Sequence, residues 1–198
     1  TAKEGRFFTR DRRLELNGQI IAKSKSPALQ MRSEQLVWNL KDEKISTNKP
    51  VQVDRYLKQQ ITDRGNANRA DVDLKTKIVT FRDSAKLALQ SGLQVTGDSL
   101  AWNIDQKTLT ADAPVTIVNP AQRVTISGDR GTMQIEQQVA TLTGNVRGVG
   151  EKNQSQLSAD RVVWYLTTQQ FQANGNVSYR QSNPPFSIAG PQAAGKLD

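Results

Sequence analysis

With no histidine and no cysteine in the chain, acid–base or nucleophilic catalysis would have to run on carboxylates. The candidates are Asp42, Glu43, Asp63, Asp71, Asp73, Asp98, Asp105, Asp129 and Asp160. They fall mostly in turns or at strand starts, where capping and solubility account for them. Nothing in their spacing holds two carboxylates across a substrate, as glycoside hydrolysis requires. Serine hydrolysis lacks its base, and zinc or thiolate sites lack their ligands. No glycine-rich phosphate loop opens a helix. The sequence therefore predicts no catalytic residue, no metal ligand and no cofactor, and a protein that is not an enzyme.

The residues whose spacing does carry information are the three tryptophans, Trp38, Trp102 and Trp164, 64 and 62 residues apart. Each sits at the same place in a segment that superimposes on the others without a gap: Ser33 to Val53, Gly97 to Ile117 and Ala159 to Tyr179. Leu36, Leu100 and Val162 correspond, as do Leu40, Ile104 and Leu166, and then Ile45, Leu109 and Phe171. A period this long exceeds that of short solenoids, so each repeat must hold several strands. Within the segments the apolar residues recur every second position, which places Leu36, Trp38 and Leu40 on one face of a strand. Such a stripe supports two readings. One is an ordinary packed core, with Trp as the large residue of each layer. The other is an apolar trough or partly open barrel that receives acyl chains.

The elements that position this stripe read as tandem β-hairpins of about 31 residues, within the usual spacing of short antiparallel strands. Arg6 to Arg13 is expected to be a solvated charge cluster around Phe7 and Phe8. Leu14 to Ile21 reads as a strand with a turn or bulge at Asn17-Gly18, and Lys23 to Ala28 as a loop. Pro50 and Pro114 mark strand starts, edges or bulges, because proline cannot donate a ladder bond. Tyr56 to Ala70 is the least strand-like stretch, with Asp63 to Asn68 expected as an exposed loop. Val72 to Phe81 and Met133 to Leu142 are matching hairpins without tryptophan. The last strand is expected over Phe186 to Ala189, ended by Gly190-Pro191. With no long helix and no linker, residues 1–198 read as a single all-β domain, a twisted antiparallel structure.

Composition narrows the partners. At 198 residues the chain can hold one ample core, and a hydrophobic share of 36% suits sheets with one wet face. The net charge of +8 favours anionic partners such as acidic membranes or phosphorylated glycolipids. Nucleic acid is not expected: the tryptophans alternate with apolar residues on one face, and the positive charges are dispersed rather than gathered around them.

Thr141 to Gly148, TLTGNVRG, is followed by LSADRVVWYL at Leu157 to Leu166 and by FQANGNVSY at Phe171 to Tyr179. This phrasing resembles the OstA-like domain of the lipopolysaccharide-export LptA–LptC family, and the resemblance runs from about Leu14 onward. The proline bends KPV at Lys49 and APV at Ala113, and the closing FSIAGPQAAGKL, look like LptC-type sequences. An LptA-like soluble bridge subunit is the alternative, and a structural β-repeat protein without ligand is a rival from another class. The resemblance implies an incomplete β-jellyroll that catalyses nothing. It would take lipopolysaccharide from an inner-membrane ABC transporter and pass it through the periplasm towards the outer membrane. Lipid contacts would be Leu36, Trp38, Leu40, Ile45, Leu100, Trp102, Ile104, Leu109, Val162, Trp164, Leu166 and Phe171. Edge-to-edge pairing with other OstA-like domains, or with further copies of the chain, would use Leu14, Leu16 and Ile20 at one end and Phe186 and Ile188 at the other. LptC-type members also carry an N-terminal membrane anchor, and the resemblance implies one upstream of this chain.

Overall fold

The computed structural model describes residues 1–196; Leu197, from the closing GKL, and Asp198 lie outside the described residues. The architecture is all-β and jellyroll-like, with seventeen strands. Two compact units are present. The first comprises residues 1–90 and 98–106. It holds β1 (Glu4–Phe8), β2 (Arg13–Lys25), β3 (Ala28–Asn39), β4 (Lys44–Thr47), β5 (Val51–Leu57), β6 (Gln60–Ala67), β7 (Arg69–Asp73) and β8 (Ile78–Ala88). Strand β9 (Gln94–Asn103) contributes its first four residues to the second unit and the rest to the first. The second unit otherwise comprises residues 91–93 and 107–198. Its strands are β10 (Thr108–Ala111), β11 (Val115–Asn119), β12 (Val124–Gly128), β13 (Arg130–Gln134), β14 (Val139–Gly150), β15 (Ser155–Tyr165), β16 (Gln170–Ser182) and β17 (Pro185–Lys196).

A turn of one design closes one end of successive hairpins. Its last residue takes a left-handed backbone at Arg12, Glu43, Lys77, Lys107 and Gln138. The carbonyls of those five accept the backbone N–H groups of Leu40, Leu74, Ile104, Ile135 and Leu166, respectively, at 2.9–3.1 Å. Asn39, Asp73 and Asn103 open their turns by accepting backbone N–H bonds on the side chain, the usual reason for Asn and Asp at such positions. This ladder explains why the pattern repeats at about half the tryptophan period.

A second device bends the long strands at mid-length. Gly18-Gln19, Asp83-Ser84, Gly144-Asn145 and Gly175-Asn176 each place two successive residues at positive φ, and the pairing register shifts at the first, third and fourth of these. An acidic side chain is fastened across three of the bends. Asn145 donates to Asp129 at 2.8 Å and Asn176 to Asp160 at 2.9 Å, while the Gln19 backbone N–H donates to Glu34 at 3.1 Å. A Cβ at Gly175 would collide with the Asp160 carboxylate, so glycine is needed there for close approach as well as for its left-handed backbone.

Several expectations are corrected. The Arg6–Arg13 cluster is solvated as expected, with Arg6, Arg10 and Arg12 exposed, but it overlaps an unexpected strand: β1 pairs with β2 from Glu4 to Phe8, and Arg13 stacks over the Phe8 ring at 4.5 Å. Strand β2 also runs on to Lys25, into the expected loop. The loop expected at Asp63–Asn68 is largely β6, and Asp63 is buried. Its carboxylate is satisfied by Arg55 at 2.6 Å, by the Thr62 hydroxyl at 3.0 Å and by the Gln90 N–H at 3.1 Å, which removes the cost of burying it unpaired. Finally, β17 runs through Gly190-Pro191 to Lys196. Pro191 falls where the β16–β17 register shifts, a bulge at which no ladder N–H is required.

Candidate functional site

Directly paired residues on antiparallel strands share a face. In the first unit the pairings run Phe7–Leu14–Trp38–Ile45–Val72–Val79 across six strands. Leu16 pairs with Leu36 one step along. This is the predicted inward face, and it includes the predicted Leu36, Trp38 and Ile45. Leu36 and Val79 are buried, whereas Leu14, Leu16, Trp38, Leu40, Ile45 and Val72 are only half-buried and Phe7 is 54% exposed. Beyond the bend the same face continues as Ala22, Met31, Val53, Gly65 and Leu87. The tip of the Phe81 ring points at Gly65, where any Cβ would overlap it. Leu100, Trp102 and Ile104, also of this unit, are sealed, with Trp102 1% exposed.

In the second unit Trp164 pairs with Ala140 on one side and Phe171 on the other. Val162, Trp164, Leu166, Phe171 and Leu109 are all buried, Trp164 completely. Towards β17 this face opens. Phe171, Tyr179 and Phe186 form a run of rings with centroids 5.9 and 6.4 Å apart. They line a cavity of about 360 Å³ with Ile188 and Ala193. Phe186 and Ile188 stay half-exposed or more at its mouth. The indole N–H groups of Trp38 and Trp164 are buried without a hydrogen-bond acceptor. That marks their surroundings as apolar, at a cost of about 1–3 kcal/mol for each unsatisfied group.

The predicted edges fare differently. Leu14 and Leu16 are covered by β1, which pairs with them through Phe7 and Gly5. At the bulge the N-terminus takes over: Thr1 both donates to and accepts from the Ile21 backbone, at 2.8 and 2.9 Å. Ile20 is buried. Leu14, Leu16 and Ile20 thus lie on no open strand edge, because the segment read as solvated charge is itself a strand paired with β2. Phe186 and Ile188 do lie on a terminal strand of their unit: β17 pairs with β16 along its length.

The other face of the first unit is polar, and sequence reasoning missed its organisation. Asp54, 0% exposed, holds Arg32 and Arg64 at 2.6 Å each and accepts from Gln52 at 2.8 Å. Burial alone would push its carboxyl up, but the hydrogen bonds from Arg64, Gln52 and Arg32 outweigh that and hold it below the ordinary carboxylate range. This carboxylate is buried and engaged by three donors, which tie β5 to its neighbours. No group of three or more Asp or Glu side chains able to hold a metal ion occurs among the described residues.

A half-open apolar inner face with bent, repeating hairpins is the setting in which the family comparison becomes decisive. The model of the family described as "Lipopolysaccharide-assembly, LptC-related" matches residues 1–59 and again residues 54–151. The chain belongs to this family. As an LptC-related protein it takes part in lipopolysaccharide transport and assembly, a periplasmic process carried out with a transporter and other Lpt proteins. The LptC-related family is a transport component and not a known enzyme family. No curated protein matches the chain. The two matched ranges cover the Trp38 and Trp102 segments, while the Trp164 segment lies beyond them. No helix among the described residues is long and apolar enough to cross a membrane.

Proposed function

We propose that the inner face binds the acyl chains of lipopolysaccharide and hands them along the jellyroll, with the sugars left outside. The observation that carries this reading is the row Leu14–Trp38–Ile45–Val72, where large apolar side chains face inward yet stay only partly buried. A closed core buries such residues, and exposed apolar surface of this kind is what an acyl chain covers. On this proposal the partly buried Trp38, Leu40 and Ile45 meet the acyl chains first, and the buried Leu36, Leu100, Trp102, Ile104, Leu109, Val162, Trp164, Leu166 and Phe171 become contacts only where the face parts to admit them. Residues 1–198 act as one OstA-like conduit that accepts lipid from the inner-membrane ABC extractor. Strands β1 and β17 supply the pairing edges for neighbouring OstA-like domains, by strand addition, and an upstream segment anchors the protein to the inner membrane.

Site-specific photocrosslinking to lipopolysaccharide tests this. The crosslinker replaces Trp38, with the outward Asn39 as control. Adduct at 38 and none at 39 is the expected result. Equal labelling, or none at either position in folded protein, overturns the acyl-binding face.

A second reading, a sealed β-repeat scaffold, is favoured by the complete burial of Trp164 and near-complete burial of Trp102. An apolar fluorescent probe separates the two: it brightens on a trough and stays dark on a sealed scaffold.

A further inference from the structure

The tip of the β5–β6 hairpin has a chemistry that neither the family nor the inner face accounts for. Leu57 and Gln60 flank a two-residue turn, Lys58-Gln59, with both residues at positive φ. This is the tight geometry of a two-residue hairpin loop. Leu57 is 60% exposed and Ile61 44% exposed. The pairing shifts register just before the tip, and Tyr56 then pairs with Ile61 while Leu57 pairs with Gln60. Adjacent positions of a strand point to opposite faces, so Leu57 projects on one side of the hairpin and Ile61 on the other. A flat partner would cover only one of them.

The surrounding charge has one sign. Strand β5 lies beside β3, with Leu29 opposite Arg55, so the β2–β3 turn stands next to the tip. The end of β2 that leads into that turn brings exposed Lys23 and Lys25, and the tip adds exposed Lys58. The three lysines form no ion pair with another described residue. The nearby acids, Asp54 and Asp63, are buried and consumed by Arg32, Arg64 and Arg55.

We propose that this end of the first unit docks on an anionic lipid bilayer, with Leu57 and Ile61 inserted end-on and Lys23, Lys25 and Lys58 on the headgroups. A fluid interface covers both faces of a narrow tip at once, and apolar insertion combined with lysine attraction is how peripheral segments hold to anionic membranes. The proposal does not depend on acyl chains entering the inner face. It gives the basic composition a local task and sets how the conduit is held against a membrane.

Vesicle flotation tests it. The wild-type chain is expected to bind vesicles containing about 30% phosphatidylglycerol roughly tenfold better than neutral phosphatidylcholine vesicles, with most of that difference lost at high salt. Leu57→Asp with Ile61→Asp should lower binding about tenfold at an unchanged denaturation midpoint, since both side chains are exposed. Lys23, Lys25 and Lys58 all changed to Gln should remove the salt dependence. The chain has no cysteine, so an environment-sensitive dye on Gln60→Cys reports the tip alone, and its emission should shift blue with anionic vesicles. Unchanged binding by the double Asp variant overturns the proposal. So does an equal loss from Arg10→Gln with Arg12→Gln, which would mean diffuse charge attraction, or a dye that responds only to a protein partner and not to lipid.

Discussion

The first and third tryptophan hairpins share a motif and differ in what surrounds it. Trp164 on β15 lies between two long strands, β14 and β16, each paired with it over most of its length. Its neighbours in the row are Ala140 and Phe171, and it is fully buried. Trp38 on β3 meets Leu14 on one side and only the four-residue β4 on the other, and stays only partly buried. The comparison teaches that an alternating apolar stripe selects the face a residue takes, while the neighbouring strands decide how far that face is closed. In the first unit polar bonds on the outer face, centred on Asp54, accompany the less closed inner face.

Substitution at the two tryptophans should give the widest separation. Trp164→Ala removes a fully buried ring and leaves a cavity, so a loss of about 3–5 kcal/mol is expected in urea denaturation. Trp38→Ala should cost less, about 1–2 kcal/mol, because that ring is only partly buried. Equal losses would mean that the Trp38 face closes in solution, and would weaken the acyl-binding proposal with it.

Next in size is the polar face. Asp54→Ala strands two guanidinium groups, each about two-fifths exposed. Partial rehydration of the arginines limits the expected loss to about 2–3 kcal/mol. The pH dependence has a definite sign. The folded pKa of Asp54 lies below its unfolded value of 3.8, so its stabilisation is complete above that value and fades as pH falls through the folded pKa. Wild type should therefore lose stability on acidification below about pH 4 more steeply than the Ala variant. Identical acid limbs would remove Asp54 from the account.

How much of this was legible depends on where each signal sits. The bend at Gly175-Asn176 could be read directly, because its unusual backbone is carried by the residue types; the staple could not, since Asp160 read as a turn or strand-start residue and meets Asn176 from 16 residues away on the paired strand. The inward face of Leu36, Trp38, Leu100, Trp102, Val162 and Trp164 could be read too, since period two survives burial of either degree. The degree itself could not, because Trp38 and Trp164 differ only through strands elsewhere in the chain. Asp63 read as part of an exposed loop and Asp54 was not singled out, since their partners, Arg55 for the first and Arg32 and Arg64 for the second, sit across strand pairs. Strand β1 was hidden because Arg6, Arg10, Arg12 and Arg13 mask the pairing of Phe7 and Gly5 with Leu14 and Leu16. The β17 extension was hidden because Pro191 ends most strands, and only the matching bulge in β16 makes it admissible.

The smallest effects separate the two hairpins at their bends. Gly175 and Gly18 both have φ near +76° to +77°, so alanine at either is strained by about 1 kcal/mol. At Gly175 the new Cβ also meets the Asp160 carboxylate, whereas at Gly18 it meets only the flexible Lys3 side chain. Gly175→Ala should therefore be worse by about a further 1 kcal/mol. The residue that follows differs in the same direction. Asn176 fastens Asp160 through its side-chain amide, but Gln19 reaches Glu34 through its backbone N–H, which alanine retains. Asn176→Ala is expected to lose about 0.5–1 kcal/mol at this exposed site, and Gln19→Ala almost nothing. A measurable loss at Gln19 comparable to that at Asn176 would show that the two bends are held alike, and that the difference between the hairpins lies in the burial of their tryptophans alone.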